Sequence, residues 1–246
     1  MKLSKRIYKL AESITYGCTA ADIGTDHGYV PMLLIKTERS PHVIMSDISA
    51  DSLSKAKETF SLTGLSDKVK ESDFRVGDGL SVLKKGEVDE LIIAGLGGHT
   101  IARILEADKE KSASFKRLIL QPRKHSGTLR YYLCMNGWKI ESEALAPEGK
   151  FACEIITAVP ADGSEAAGID PKDMYPEDDI RWKYPEMMAV SEPELAGLRI
   201  KWKINSIETE INNLKRANAS DNNATAERLK LIEKLDQELA YLKGLI

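Results

Sequence analysis

The stretch ADIGTDHGYV, residues 21–30, decides the fold class of this chain. It ends a predicted strand and leads into residues 29–38, a predicted helix with Pro31 in its first turn, where proline is tolerated. A glycine-bearing turn between a strand and a helix is typical of nucleotide-binding α/β folds. Asp26 and His27, however, occupy positions where a phosphate-binding loop carries small, uncharged residues. The turn therefore predicts a binding site for something other than a pyrophosphate.

Short apolar strands alternate with amphipathic helices on both sides of this turn, as far as residue 160. Further strands are predicted at residues 42–48, 73–79, 88–98, 117–122, 138–146 and 151–160. Such alternation favours a mostly parallel sheet that is covered by helices on both faces. No helix separates the last two strands, which predicts an antiparallel edge. We therefore predict a Rossmann-like, doubly wound α/β domain over residues 1–160.

The composition changes after residue 160. Residues 161–193 are rich in acidic residues, proline and glycine, and predict an exposed connecting segment. In residues 194–246, isoleucine and leucine recur at alternating steps of four and three, as in a coiled-coil seam; the first helix carries them at Ile200, Ile204, Ile207, Ile211 and Leu214. A polar turn at residues 217–227 divides the pattern in two. These residues predict an antiparallel coiled-coil helical hairpin.

Composition narrows the class of partner. The net charge of −3 and the isoelectric point near 5.9 give no overall attraction to nucleic acid, although cations cluster in residues 1–10 and 121–130. No apolar run approaches the length of about 18 residues that a membrane span needs. The three cysteines are odd in number and form no CxxC pair, and the four histidines are scattered. We expect a cytoplasmic protein with free thiols and no metal site.

Carboxylates and glycines end the first four predicted strands. Asp22, Gly24 and Asp26 follow the first strand, Asp47 ends the second, and Asp78 and Gly95 lie in the turns after the third and fourth. Asp47 stands 23 residues after Gly24, the spacing of a carboxylate that binds ribose hydroxyls. Asp26 would repel a pyrophosphate but suits a cation, so S-adenosylmethionine fits better than a dinucleotide. The alternative for these aspartates is a role as helix-capping or turn residues.

These motifs resemble the bacterial TrmK family. The resemblance rests on D-I-G-T-D-H-G-Y, G-D-G-L, I-A-G-L-G-G and L-I-L-Q-P, in that order and followed by a helical hairpin. It implies an S-adenosylmethionine-dependent tRNA methyltransferase that acts on N1 of an adenine, adenine 22 in the family, near the D-arm. It also implies the cofactor-binding positions Asp22, Gly24, Asp26, Gly28, Asp47, Ile48, Asp78, Gly79, Ala94, Gly95 and Leu96. As catalytic candidates it suggests Asp26, His27, Gln121 and Arg123.

The chain departs from the family pattern at several positions. Arg123 stands where asparagine is usual, Ala152 where an aromatic residue is common, and Ser46–Asp47 where Gly-Glu is usual. The change at Arg123 affects the predicted target pocket, so another RNA or a small molecule is an alternative substrate. A third reading is a non-enzymatic, cofactor-sensing or RNA-binding scaffold, which the intact set of aspartates disfavours.

In the predicted reaction, N1 of a flipped-out adenine attacks the methyl group in line. Asp26 would stabilise the cationic product ring, and Gln121 or the neighbouring backbone would orient the base. Arg123, Lys124 and Arg130 are either phosphate contacts for tRNA or an ordinary solvated face. Both a monomer and a homodimer are compatible with the sequence.

Overall fold

The structure is a computed structural model that describes residues 3–149, 151–161, 175–216 and 222–246. The chain divides into two compact units, Met1–Lys183 and Tyr184–Ile246. Residues 217–221 of the predicted turn at residues 217–227 and residues 162–174 of the predicted connecting segment lie outside the described residues, whereas residues 222–227 of the predicted turn begin a helix. The predicted domain boundaries at residues 160 and 194 stay predictions.

The first unit is built on one mixed sheet. Its described strands are β1 (Ala20–Ile23), β2 (Val43–Asp47), β3 (Phe74–Val76), β4 (Glu90–Leu96), β5 (Arg117–Pro122), β6 (Trp138–Glu148) and β7 (Phe151–Pro160). The strand order is β3-β2-β1-β4-β5-β7-β6. The first five strands are parallel, and β7 runs antiparallel to both β5 and β6. The predicted fold class and the antiparallel edge are confirmed.

Helices cover both faces of this sheet. They are α1 (Lys5–Glu12), α2 (Tyr29–Lys36), α3 (Ala50–Leu62), α4 (Gly98–Glu106), α5 (Lys109–Ser112), α6 (Ser126–Met135) and α7 (Ile180–Lys183). Two apolar clusters form the core. One contains Ile93, Ile101 and Leu129, and the other contains Leu10, Leu34 and Ile92. Ile92 and Ile93 are successive residues of β4, so their side chains point to opposite faces, as a strand requires.

Strand β1 lies in the middle of the parallel part of the sheet and positions the site. Ala20–Ile23 pairs with Val43–Ser46 on one side and with Glu90–Ile93 on the other, and all four residues of β1 are buried. The carboxyl ends of these strands meet at one edge, and the order reverses beside β1. Ligands of doubly wound sheets bind at such a switch point.

Arg130 corrects one prediction. It was a candidate phosphate contact, but its side chain in α6 is only 1% exposed. Its guanidinium donates to Glu143 Oε1 and Glu154 Oε2, each at 2.5 Å, and to the backbone oxygen of Trp182 at 2.8 Å. Burial lowers the pKa of Arg130, but the charges and hydrogen bonds of Glu154 and Glu143 outweigh this effect and hold that pKa above its usual value. Arg130 therefore joins α6 to β6, β7 and α7 and has no free face for RNA.

The second unit consists of helices. Its described helices are α8 (Glu186–Ser191), α9 (Pro193–Arg216) and α10 (Asn222–Gly244). The predicted seam residues Ile200, Ile204, Ile207 and Ile211 are buried. Lys243, near the end of α10, pairs with Glu208 in α9 at 2.8 Å. Two long helices that contact each other are therefore present, and their coiled-coil geometry stays a prediction. Across the described residues, we find no helix with the length and apolar character of a membrane span.

Candidate active site

Asp22 is a buried carboxylate at the end of β1. Its side chain is 6% exposed, and its Oδ2 accepts a hydrogen bond from Thr25 Oγ1 at 2.6 Å. Burial raises the pKa of Asp22 to about 6, while the Thr25 hydrogen bond and the positive charge of Arg6 act in the opposite direction. The negative charge of Asp47 adds to the increase. Because burial deprives the ionised Asp22 of solvation by water, a bound cation would stabilise its negative charge.

Two glycines allow the turn after β1 to pack closely. Gly24, at φ +82°, donates its backbone N–H to the oxygen of Ser46 at 2.7 Å, and Thr25 donates to the same oxygen at 3.0 Å. These bonds tie the turn to the end of β2. Gly28, at φ +66°, begins α2, and a Cβ there would lie only 2.9 Å from the Cβ of Ala56 in α3. Glycine is therefore required where α2 and α3 approach.

Asp26 and His27 lie at the exposed tip of this turn. Asp26 has φ +37°, and its side chain is 58% exposed. One of its oxygens is 3.3 Å from Lys55 Nζ, and the other is 3.6 Å from His27 Nε2. The His27 ring stacks on Tyr29 at a centroid distance of 5.1 Å. Asp26 is thus accessible to a ligand and has the cation Lys55 beside it, whereas a helix-capping hydrogen bond from it is not observed at α2.

The ends of β2 and β3 form a second part of the site. Asp47 Oδ1 accepts from the backbone N–H of Ser49 at 2.8 Å. Ile48, next to it, is 74% exposed, and Val76 at the end of β3 is 60% exposed. Asp78 is exposed and opens the short helical turn Gly79–Val82. Two acidic groups beside exposed apolar side chains are the surroundings that a purine nucleoside needs.

Strand β4 contains a bulge close to its carboxyl end. The pairing of β4 with β5 shifts register between Ala94 and Leu96, which leaves Gly95 as the extra residue at φ +79°. The backbone N–H of Gly95 donates to Gln121 Oε1 at 3.1 Å. Ala94, Gly95 and Leu96 are half-buried. The bulge lies at the carboxyl end of β4, the strand that pairs with β1 beside Asp22.

Gln121 and Arg123 occupy the end of β5. Gln121 is 1% exposed, and its Nε2 donates to the backbone oxygen of Pro122 at 3.1 Å. Arg123 is exposed; its backbone N–H donates to Leu96 at 2.8 Å, and its guanidinium lies beside Gly95. The neighbouring Lys124 is also exposed. The structure therefore places Arg123 at the surface of the site and Gln121 beneath it.

Arg6 is a site residue that the sequence analysis missed. Its Nε donates to Glu148 Oε1 at 2.8 Å and its Nη1 to Gln121 Oε1 at 3.2 Å. Its side chain is 18% exposed. One signal was available, because Arg6 lies three residues after Leu3 and four before Leu10, on the apolar face of α1.

The arrangement brings acidic groups to the ends of three adjacent parallel strands, with glycine turns between them. Within the described ranges there is no group of three His, Cys, Asp or Glu side chains that could hold a metal ion. Strand order and acidic turns together are those of the Rossmann-like methyltransferase class.

Comparisons with known proteins define the family. Residues 3–156 match the family model described as a methyltransferase domain. The chain is 37% identical over 166 residues to the tRNA (adenine(22)-N(1))-methyltransferase of Bacillus subtilis, an alignment that covers 68% of each protein. The chain belongs to this family of tRNA methyltransferases.

Two solved structures extend the likeness to nearly the whole chain. The crystal structure of the B. subtilis m1A22 tRNA methyltransferase TrmK is 29% identical, with a TM-score of 0.76 and coverage of 97% of this chain and 99% of that one. Streptococcus pneumoniae Sp1610 in complex with S-adenosyl-L-methionine is 25% identical, with a TM-score of 0.73 and coverage of 98% and 99%.

Proposed function

We propose that this chain transfers the methyl group of S-adenosylmethionine to N1 of adenine 22 in tRNA. The observation that carries the proposal is the 37% identity over 166 residues to a tRNA (adenine(22)-N(1))-methyltransferase. The buried Asp22 and the exposed Asp26 support a cationic cofactor over a pyrophosphate. We further propose tRNA as the macromolecular partner and the cytoplasm as the location.

The residues present fit S-adenosylmethionine. Asp47 would accept hydrogen bonds from the ribose hydroxyls, with Ile48 and Val76 against the adenine and Asp78 near its exocyclic amine. Asp22 would balance the positive charge of the methionyl part. When bound, the cofactor supplies an electrophilic methyl group on a sulfonium. Gly24, Gly28, Gly79, Ala94, Gly95 and Leu96 would contribute backbone surface and close packing around it.

The protein's own contribution to the chemistry is positioning and charge. Adenine N1 is already nucleophilic, so a strong base is not required, and methylation leaves a positive charge on the ring. Asp26 is exposed, ionisable and held near Lys55, so we assign it the stabilisation of that charge. His27 stacks on Tyr29 beside it and would border the base. Arg123 lies at the rim and would contact the RNA backbone or base.

A methyl-transfer assay on unmodified tRNA transcripts tests the activity. We expect transfer to a transcript with adenine 22 and none when guanine replaces it. Transfer to both transcripts, or to neither, would contradict the proposal and favour another RNA or a small molecule.

The role of Asp26 has its own test. Replacing Asp26 with Asn should reduce turnover by roughly ten- to a hundredfold, because a neutral amide cannot balance the ring charge. Asp51→Asn is the matched control, since Asp51 is an exposed aspartate in the first turn of α3. Equal turnover in the two variants would remove Asp26 from the reaction.

A further inference from the structure

Arg6 joins three segments that are far apart in the sequence. From α1 it reaches Gln121 at the end of β5 and Glu148 at the end of β6, which are 115 and 142 residues away. Glu148 in turn accepts a hydrogen bond from Cys153 Sγ at 2.8 Å through its other oxygen. Of the cations in the N-terminal cluster, Lys5 is exposed, whereas Arg6 is mostly buried.

The contacts of Gln121 fix the direction of its amide group. Its Oε1 accepts from two donors, Arg6 Nη1 at 3.2 Å and the Gly95 N–H at 3.1 Å. A flipped amide would place its own NH2 group against both donors and lose both bonds. The observed orientation also points Nε2 at the oxygen of Pro122. Arg6 and the Gly95 N–H therefore both hold the amide in the orientation in which its Oε1 faces the bulge in β4.

The bulge depends on that amide. The register of β4 against β5 shifts at Gly95. The backbone N–H of Gly95 therefore has no partner among the β4–β5 hydrogen bonds and would be left unsatisfied without Gln121. We propose that Arg6 is a positioning residue that acts through Gln121 to hold the Gly95 bulge in the geometry that methyl transfer requires. Because the bulge borders the candidate active site, the proposal rests on the proposed function for its catalytic part.

Three variants separate geometry from charge. Arg6→Gln removes both the charge and the paired donors. Arg6→Lys keeps the charge but lacks the planar fork that can donate to Gln121 and Glu148 together. Lys5→Gln is the matched control, since it removes the same charge from an exposed neighbour on the same helix.

In steady-state assays on the tRNA transcript, Arg6→Gln should lower kcat by about ten- to a hundredfold, because small misplacements of a reacting group have effects of this size. Its KM for tRNA and the salt dependence of that KM should stay as in Lys5→Gln. A larger KM with a weaker salt dependence and an unchanged kcat would instead make Arg6 a phosphate contact and would overturn the proposal.

The pH profile gives a second readout. Burial raises the pKa of Asp22, the Thr25 hydrogen bond and the positive charge of Arg6 lower it, and the negative charge of Asp47 raises it. Arg6→Gln should move the acid limb of S-adenosylmethionine binding to higher pH, since the loss of a positive charge raises the pKa of Asp22. Arg6→Lys should leave that limb in place while kcat still falls. If Arg6→Gln does not fold, the Arg6→Lys variant carries the test through kcat alone.

Amide hydrogen exchange at Gly95 needs no substrate. Exchange should become faster in Arg6→Gln than in Lys5→Gln, and Gln121→Leu should give a similar increase that Arg6→Gln does not enlarge further. Unchanged exchange in Arg6→Gln would overturn the inference about Arg6. If the variants show these differences in exchange but the wild-type chain transfers no methyl group to tRNA, the proposed function is overturned instead. The two failures are therefore distinguishable.

Discussion

At the scale of single residues, the ionised carboxyl group of Asp22 lowers the stability of the fold, whereas its negative charge should strengthen cofactor binding. Its folded-state pKa of about 6 exceeds the ordinary value of 3.8, because burial disfavours the charged form. The folded state therefore holds the proton more tightly than the unfolded state does. It follows that ionising Asp22 costs stability as the pH rises from about 4 to about 6, and that this cost persists at higher pH.

We expect Asp22→Asn to be more stable than the wild type at pH 8, by up to about 3 kcal/mol in the free energy of unfolding. The gain should shrink as the pH is lowered from 6 to 4, because the wild-type carboxyl then becomes neutral too. Urea denaturation at several pH values measures it. A gain that is equally large at pH 4 and pH 8 would show that ionisation is not the cause.

The same replacement should weaken cofactor binding. Wild-type affinity for S-adenosylmethionine should fall as the pH drops below about 6, and Asp22→Asn should be weak at every pH, as measured by calorimetry. Asp22 was predictable from sequence, since it ends a strand before a glycine turn. For Arg6 the sequence offered only its place on the apolar face of α1. Its partners, like those of Arg130, are visible only in the folded chain, where both arginines are largely buried.

At the scale of elements, the candidate site depends on how closely α2 approaches α3. The spacing of apolar residues was sufficient to predict these two helices and the strand between them. It carried no information on Gly28, whose missing side chain leaves room for Ala56. Such contacts depend on the angle between two helices, which hydrophobic periodicity does not encode. The bulge at Gly95 was unpredictable for a similar reason, since register is set by pairing.

Gly28→Ala and Gly64→Ala form a matched pair. Both glycines have positive φ, +66° and +70°, so alanine strains the backbone at each by about 1 to 2 kcal/mol. Only at Gly28 would the new Cβ also meet a neighbour, at 2.9 Å; nothing lies within 4 Å at Gly64. We expect Gly28→Ala to lose about 1 to 3 kcal/mol more stability in urea, through overpacking. Equal losses of stability in the two variants would show that α3 moves away from the new Cβ with no cost in free energy.

At the scale of the whole molecule, the two compact units separate the proposed roles. The carboxylates and glycine turns of the candidate site all lie in Met1–Lys183, as do Arg6 and Gln121. The unit Tyr184–Ile246 contributes two long helices, and the first of them buries Ile200, Ile204, Ile207 and Ile211. The repeating apolar pattern of the sequence predicted these two helices. The same unit also contains the helix Glu186–Ser191, within the segment that the sequence predicted to be an exposed connection. The burial of Met188 in this helix was not predicted, because a run of only four apolar residues is too short to show a helical period.

Ile207→Ala tests this separation. Ile207 is fully buried in α9, so truncation should cost about 2 to 5 kcal/mol of local stability. Hydrogen exchange should become faster in α9 and α10, while the affinity for S-adenosylmethionine stays unchanged because its proposed ligands belong to the other unit. Leu198→Ala is the control, since Leu198 lies on the same helix but is 69% exposed. Loss of cofactor binding in Ile207→Ala alone would show that the helical unit supports the fold of the methyltransferase domain, and the two units would then have to be treated as one cooperative structure.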